Sequence, residues 1–202
     1  MAVKPSSIKL CALAGIVVVS GLAAGCSDFT RQGQTNYMLV IDSLTATSGA
    51  TNRTASTLQS DVQTFVGAPP AATIFSDSAT VVMRLVSKDP TGPAASDINS
   101  VTVNRYRITF RRSDGRNTPG VDVPQPFDSA LSVRVPALGA VNASFDLIRH
   151  IAKEEAPLVA LRQSAVMIST VADITLFGRD QTGNDVSAAG SIGVTFGDFG
   201  DP

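Results

Sequence analysis

Val101-Thr102-Val103-Asn104-Arg105-Tyr106-Arg107-Ile108-Thr109-Phe110-Arg111-Arg112 is the stretch on which the fold turns. Side chains alternate between the two faces of a strand, so Tyr106, Ile108 and Phe110 share one face and Arg105, Arg107, Thr109 and Arg111 share the other. The same alternation recurs downstream. Ala143, Phe145 and Leu147 oppose Ser144 and Asp146, and Ile192, Val194 and Phe196 oppose Ser191, Gly193 and Thr195. One buried and one wet face per strand is the pattern of antiparallel sheets.

Working outward, short runs of strand-like composition cover Ala79–Lys88, Val101–Arg112, Leu131–Val135, Val141–Arg149, Val171–Arg179 and Ser187–Phe196, with an earlier one at Tyr37–Asp42. Turn-forming residues separate them, as in Lys88-Asp89-Pro90-Thr91-Gly92-Pro93 and Asp180-Gln181-Thr182-Gly183-Asn184-Asp185. Ser43–Gln59 is rich in Ser, Thr, Ala and Gly and reads as a loop. An all-parallel fold needs helices between its strands, and only Ala156–Ser164 offers one, with Pro157 in its first turn and Leu158 and Leu161 toward the core. These features predict a mainly β chain, an antiparallel β-sandwich with one short helix or crossover.

The N-terminus has a different character. Lys4 and Lys9 precede an apolar run from Leu10 to Ala24, the order of charge and apolarity found in secretory signals. The run falls short of the ~20 residues that span a hydrocarbon core. It ends in Leu22-Ala23-Ala24-Gly25-Cys26, which resembles the lipobox of bacterial lipoproteins, although Ala23 stands where leucine is preferred. The resemblance implies cleavage before Cys26 and acylation of its thiol, and the serine that follows, Ser27, implies sorting to the outer membrane. Each buried methylene of such an anchor adds ~0.8 kcal/mol. The expected organisation is a signal peptide over residues 1–25, a lipidated tether over 26–35 and a β-sandwich domain over 36–202. An extended tether of this length reaches roughly 30 Å at ~3.3 Å per residue.

Removal of residues 1–25 leaves 177 residues with 14 basic and 17 acidic side chains, a net charge of −3, since Lys4 and Lys9 leave with the signal. So mild a charge predicts no nucleic-acid partner. Cys11 leaves too, and Cys26 takes the lipid, so the domain has neither a disulfide nor a thiolate metal site. No Gly-x-Ser-x-Gly, Gly-x-x-x-x-Gly-Lys or His-Glu-x-x-His motif occurs in the mature chain.

The final hairpin, Ala172–Phe196, resembles the closing strand pair of immunoglobulin-like domains in bacterial surface proteins, though the cysteine pair and tryptophan of antibody domains are missing. The block from Ser113 to Pro124 resembles segments of small envelope lipoproteins with no assigned activity. The first resemblance implies a sandwich of the immunoglobulin-like kind, and the second brings no mechanism.

Four constellations bear on chemistry. Arg105, Arg107 and Arg111, with Arg112 and Arg116 nearby, form a row of fork-shaped donors suited to an anionic glycan, phosphate or headgroup; the same alternation marks a solvated face paired to carboxylates such as Asp146 or Asp173. His150 precedes Glu154 by four residues and Glu155 by five, within reach of one site on a helix. Asp180–Asp185, like Asp198 and Asp201, offers oxygen ligands for calcium but also the letters of a hairpin turn with Gly183 or Asn184 at positive φ. Paired catalytic acids would have to come from scattered aspartates. The expectation is a non-catalytic interaction or structural module in the cell envelope, bound to the bilayer through acylated Cys26 and meeting an envelope protein or glycan, with no metal and no cofactor. The alternatives are a binder of glycans or anionic small ligands using the arginine face and, behind it, a hydrolase.

Overall fold

The computed structural model describes residues 35–89, 91, 96 and 99–200. The signal peptide, Cys26 and all of the tether but Thr35 lie outside the described residues, as does Asp201. In chain order the strands are β1 (Tyr37–Thr47), β2 (Thr54–Ala55), β3 (Thr57–Asp61), β4 (Thr64–Val66), β5 (Ala71–Thr73), β6 (Asp77–Ser87), β7 (Ser100–Arg111), β8 (Phe127–Pro136), β9 (Ala140–Ile148), β10 (Ile168–Asp180) and β11 (Asp185–Gly197).

They form two stacked sheets, ordered β2-β1-β6-β9 and β3-β11-β10-β7-β8, with β4 and β5 as a small separate hairpin. The pairs β6–β9, β7–β10 and β10–β11 reproduce the B–E, C–F and F–G neighbours of the immunoglobulin sandwich. The chain is thus a β-sandwich, as the alternating patterns predict. One pairing departs from strict antiparallel order, because β3 lies parallel to β11 from Thr57↔Gly193 to Asp61↔Gly197. The segment after β1 therefore touches both sheets: β2 pairs with β1 in the first, and β3 joins the second.

Inward-facing side chains fill the space between the sheets. Ile108, Leu147, Leu176 and Phe196 have no exposed surface, and Ile174 and Val194 almost none. Tyr106 of β7 stacks on Phe145 of the facing β9, ring centroids 4.7 Å apart, and its hydroxyl donates to the Asp146 carbonyl at 3.2 Å. Phe110 meets Phe196 edge-on at 6.0 Å. Such aromatic pairs favour tilted and edge-to-face contact over a face-to-face sandwich. Burial, outweighing the hydrogen bonds it makes, raises the Tyr106 phenol above its usual range.

Three expectations need correction. Ser43–Gln59 is not simply a loop: β1 continues through it to Thr47, and β2 and most of β3 lie within it. The strand foreseen at Leu131 begins at Phe127. The single helix expected over Ala156–Ser164 is instead a short α-helix, α1 (His150–Glu154), followed by one 3-10 turn at Leu158–Leu161. Pro157 precedes that turn, and Leu158 and Leu161 are buried as foreseen. The intervening residues fail to extend a regular helix because Pro157 has no N–H to donate and limits the residue before it.

The strands run between two poles. Tyr37, Lys88, Asn99, the 137–139 turn and the 181–184 turn lie at the near pole, where the described chain begins. The 48–53, 62–76, 112–126 and 149–167 segments and residues 198–200 lie at the far pole.

Candidate functional site

The arginine row owes its position to a bulge. Val101 and Val103 face inward, and so do Tyr106, Ile108 and Phe110, so the alternation slips by one residue between Val103 and Arg105. Asn104 is the extra residue, and the register with β10 shifts at the same level, between Phe177 and Gly178. Gly178 permits the close approach this demands: a Cβ there would stand 2.6 Å from the Thr102 carbonyl oxygen. Below the bulge Arg105, Arg107 and Arg111 all lie on the outer face.

Each guanidinium there rests on a carboxylate. Asp128 of β8 accepts from Arg105 Nη1 at 3.0 Å and from Arg107 at two points, Nη2 to Oδ2 at 2.8 Å and Nε to Oδ1 at 3.0 Å. Arg111 Nε donates to Asp173 of β10 at 2.6 Å. Arg112 and Arg116 close on Asp114 within the 112–116 turn. Asp173 was foreseen as a partner; Asp146 belongs to the other sheet, on β9, and does not serve. Hydrogen bonding from Arg107 holds the Asp128 carboxyl below the usual range, and that from Arg112 brings Asp114 down to about 2. The bonds to Asp128 and Asp173 raise Arg107 and Arg111 in turn.

Arg105 also lies over the Phe177 ring, 4.0 Å from its centroid. That contact forms one wall of a shallow hollow of about 650 Å³ lined by Asn104, Arg105, Phe177, Arg179, Asp185 and Ser187. Three arginines against Asp128 and Asp173 leave one positive charge on the row. The arrangement can accept an anion that competes with the carboxylates for the guanidinium forks, or a flat sugar laid against Phe177.

The other constellations are not drawn together. His150 opens α1 and is exposed, as is Glu154. Among the described residues no three His, Cys, Asp or Glu side chains converge as a metal site would require. The Asp180 carboxylate is occupied within its own turn, accepting from the Thr182 hydroxyl at 2.8 Å and from the backbone N–H groups of Thr182 and Asn184 at 2.9 and 2.8 Å. Gly183 takes a φ of +88° there, the hairpin-turn geometry. Burial raises the Asp180 carboxyl, but these hydrogen bonds outweigh it and the net effect is a lowering. Asp198 accepts from the Gln163 backbone N–H.

One charged cluster escaped the sequence. Lys153 and Asp77 have no exposed side-chain surface and meet at 2.8 Å, Nζ to Oδ2. Lys153 Nζ also donates to the Asp61 carbonyl at 2.8 Å. Asp77 further accepts from Ser60 Oγ at 2.6 Å and from the Gly49 N–H at 2.8 Å. Its partners lie 92, 76, 28 and 17 positions apart in pairs that only the fold brings together, and the local run His150-Ile151-Ala152-Lys153-Glu154-Glu155 gives no sign of burial. Comparison of the chain with protein families, with curated proteins and with solved structures finds no match.

Proposed function

We propose that this chain is a lipid-anchored protein of the bacterial cell envelope, held in the outer membrane through acylated Cys26, whose β-sandwich acts as a non-catalytic interaction or structural module. The observation that carries the reading is a polarity of the domain. The described chain begins at the near pole, with Thr35 leading into β1, whereas six of the eight exposed large apolar side chains among the described residues lie at the far one: Val66, Val121, Ile151, Val159, Val166 and Met167. Val121, Val166 and Met167 expose 60% or more of their surface. Exposed apolar loops at the end away from an anchor suit contact with another envelope component. No helix among the described residues is long and apolar enough to cross a membrane.

Intact mass spectrometry of protein from the membrane fraction, beside a Cys26→Ala variant, tests the anchor. The expected wild type begins at Cys26 and carries lipid mass, with the variant unmodified; an unmodified wild type in the soluble fraction sinks the reading.

A second reading rests on the hollow beside Arg105 and Phe177. As a binder of an anionic glycan, the domain would retain a sulfated disaccharide in calorimetry, and Arg105→Ala with Arg107→Ala would abolish the heat. Equal heats for both proteins would count against it.

A further inference from the structure

The Lys153–Asp77 cluster has no part in the function above, yet it holds an amine and a carboxyl in contact and out of solvent. Two opposite charges deprived of hydration are costly, and moving one proton from the ammonium to the carboxylate leaves a neutral amine and a carboxylic acid in their place. In that state the side chains are a nucleophile and an acyl group already assembled, the arrangement that turns a slow bimolecular condensation into an intramolecular one.

We propose that Lys153 and Asp77 condense into an isopeptide bond that staples β6 to the α1 crossover. The Nζ lone pair attacks Asp77 Cγ. The charge that develops on Oδ1 is met by the Gly49 N–H, 2.8 Å away, placed as an oxyanion donor. Oδ2, which already holds one proton and accepts from Ser60 Oγ at 2.6 Å, takes a second from the amine and leaves as water. One N–H remains on the new amide, directed at the Asp61 carbonyl that Nζ already addresses at 2.8 Å. The balance is one C–N bond made, one C–O bond broken and one water released, with no oxidant or other reactant. The product exchanges a buried ion pair for a buried neutral amide and gives a covalent tie to a domain that contains no cysteine, the chain's two being Cys11 and Cys26 ahead of it.

Tryptic mapping of the full-length protein from its membrane fraction decides the matter. Trypsin should release Thr54–Arg84 joined to His150–Arg162, lighter than their sum by one water, because an acylated Lys153 is no longer a cleavage site. Lys153→Arg and Asp77→Ala should each abolish the joined species. The proposal is overturned if the wild type instead yields free Thr54–Arg84 and a separate His150–Lys153, since the cluster is then an ion pair only. That result needs no variant and holds whether or not the variants fold.

Discussion

The outer face of the second sheet and the far pole both join cations to carboxylates, but in opposite surroundings. Arg105, Arg107 and Arg111 meet Asp128 and Asp173 in solvent, where water screens the attraction and ordering two long side chains offsets much of the gain. Lys153 and Asp77 meet with neither side chain exposed, where an unmatched charge is expensive. Similar distances, 2.6 to 3.0 Å on the face and 2.8 Å at the pole, therefore carry different weight. Geometry alone does not rank ion pairs; the solvent around them does.

Substitutions can break this contrast. Lys153→Ala strands the Asp77 carboxylate in the interior and is expected to lower stability by about 3 to 5 kcal/mol, read from denaturant unfolding. A loss below about 1 kcal/mol would erase the distinction from a surface pair. The double change Lys153→Met with Asp77→Leu removes the stranded charge and should recover part of that loss, remaining below the wild type by what the covalent tie contributes, so a double variant as weak as the single one would show that packing, not charge, governs the cluster. Gly49→Ala would bring a Cβ to within 2.0 Å of the Ser76 carbonyl oxygen and displace the N–H that serves Asp77. Overpacking of this kind costs about 1 to 3 kcal/mol, visible in the same unfolding curves.

On the exposed face, Arg107→Ala and Arg111→Ala should leave the unfolding midpoint within the scatter of the wild type, and a clear drop for either would mean the row is structural. The smallest effect concerns acid. The Asp114 carboxyl is lowered to about 2 in the fold, so its contribution is complete above the ordinary carboxylate range near 4 and fades as the pH falls from there through 2. Carboxyl-carbon NMR should find its midpoint near 2 in the wild type and back in the ordinary range in Arg112→Ala, the partner whose hydrogen bond chiefly lowers it.

The strands were legible where apolar and polar residues alternate, as in Arg105–Arg111 and Ser191–Phe196, because a half-buried strand must show a period of two. The bulge at Asn104 was not read from the sequence, although the change of phase from Val101 and Val103 to Tyr106, Ile108 and Phe110 is its signal. By contrast, β2 and β3 are short strands of Thr, Ala, Leu, Gln, Ser and Asp whose pairing is set by β1 and β11, not by their own composition. The helix was misplaced by several residues, since five helical residues span barely more than one turn and leave no periodicity to read. Of the arginine row, the face and the Asp173 partner followed from alternation, while Asp128 required the β7–β8 register. The Lys153 cluster depends on four separated segments and left no local trace.

β1 begins at the near pole with Tyr37 opposite Ser87 and stays paired with β6 to Thr47 opposite Ser78. With a lipid pulling on the chain ahead of Tyr37 and a partner holding the far pole, the load would run lengthwise along β1. Its rungs to β6 would then share the strain in shear instead of parting in sequence, the loading in which a hydrogen-bonded ladder resists longest.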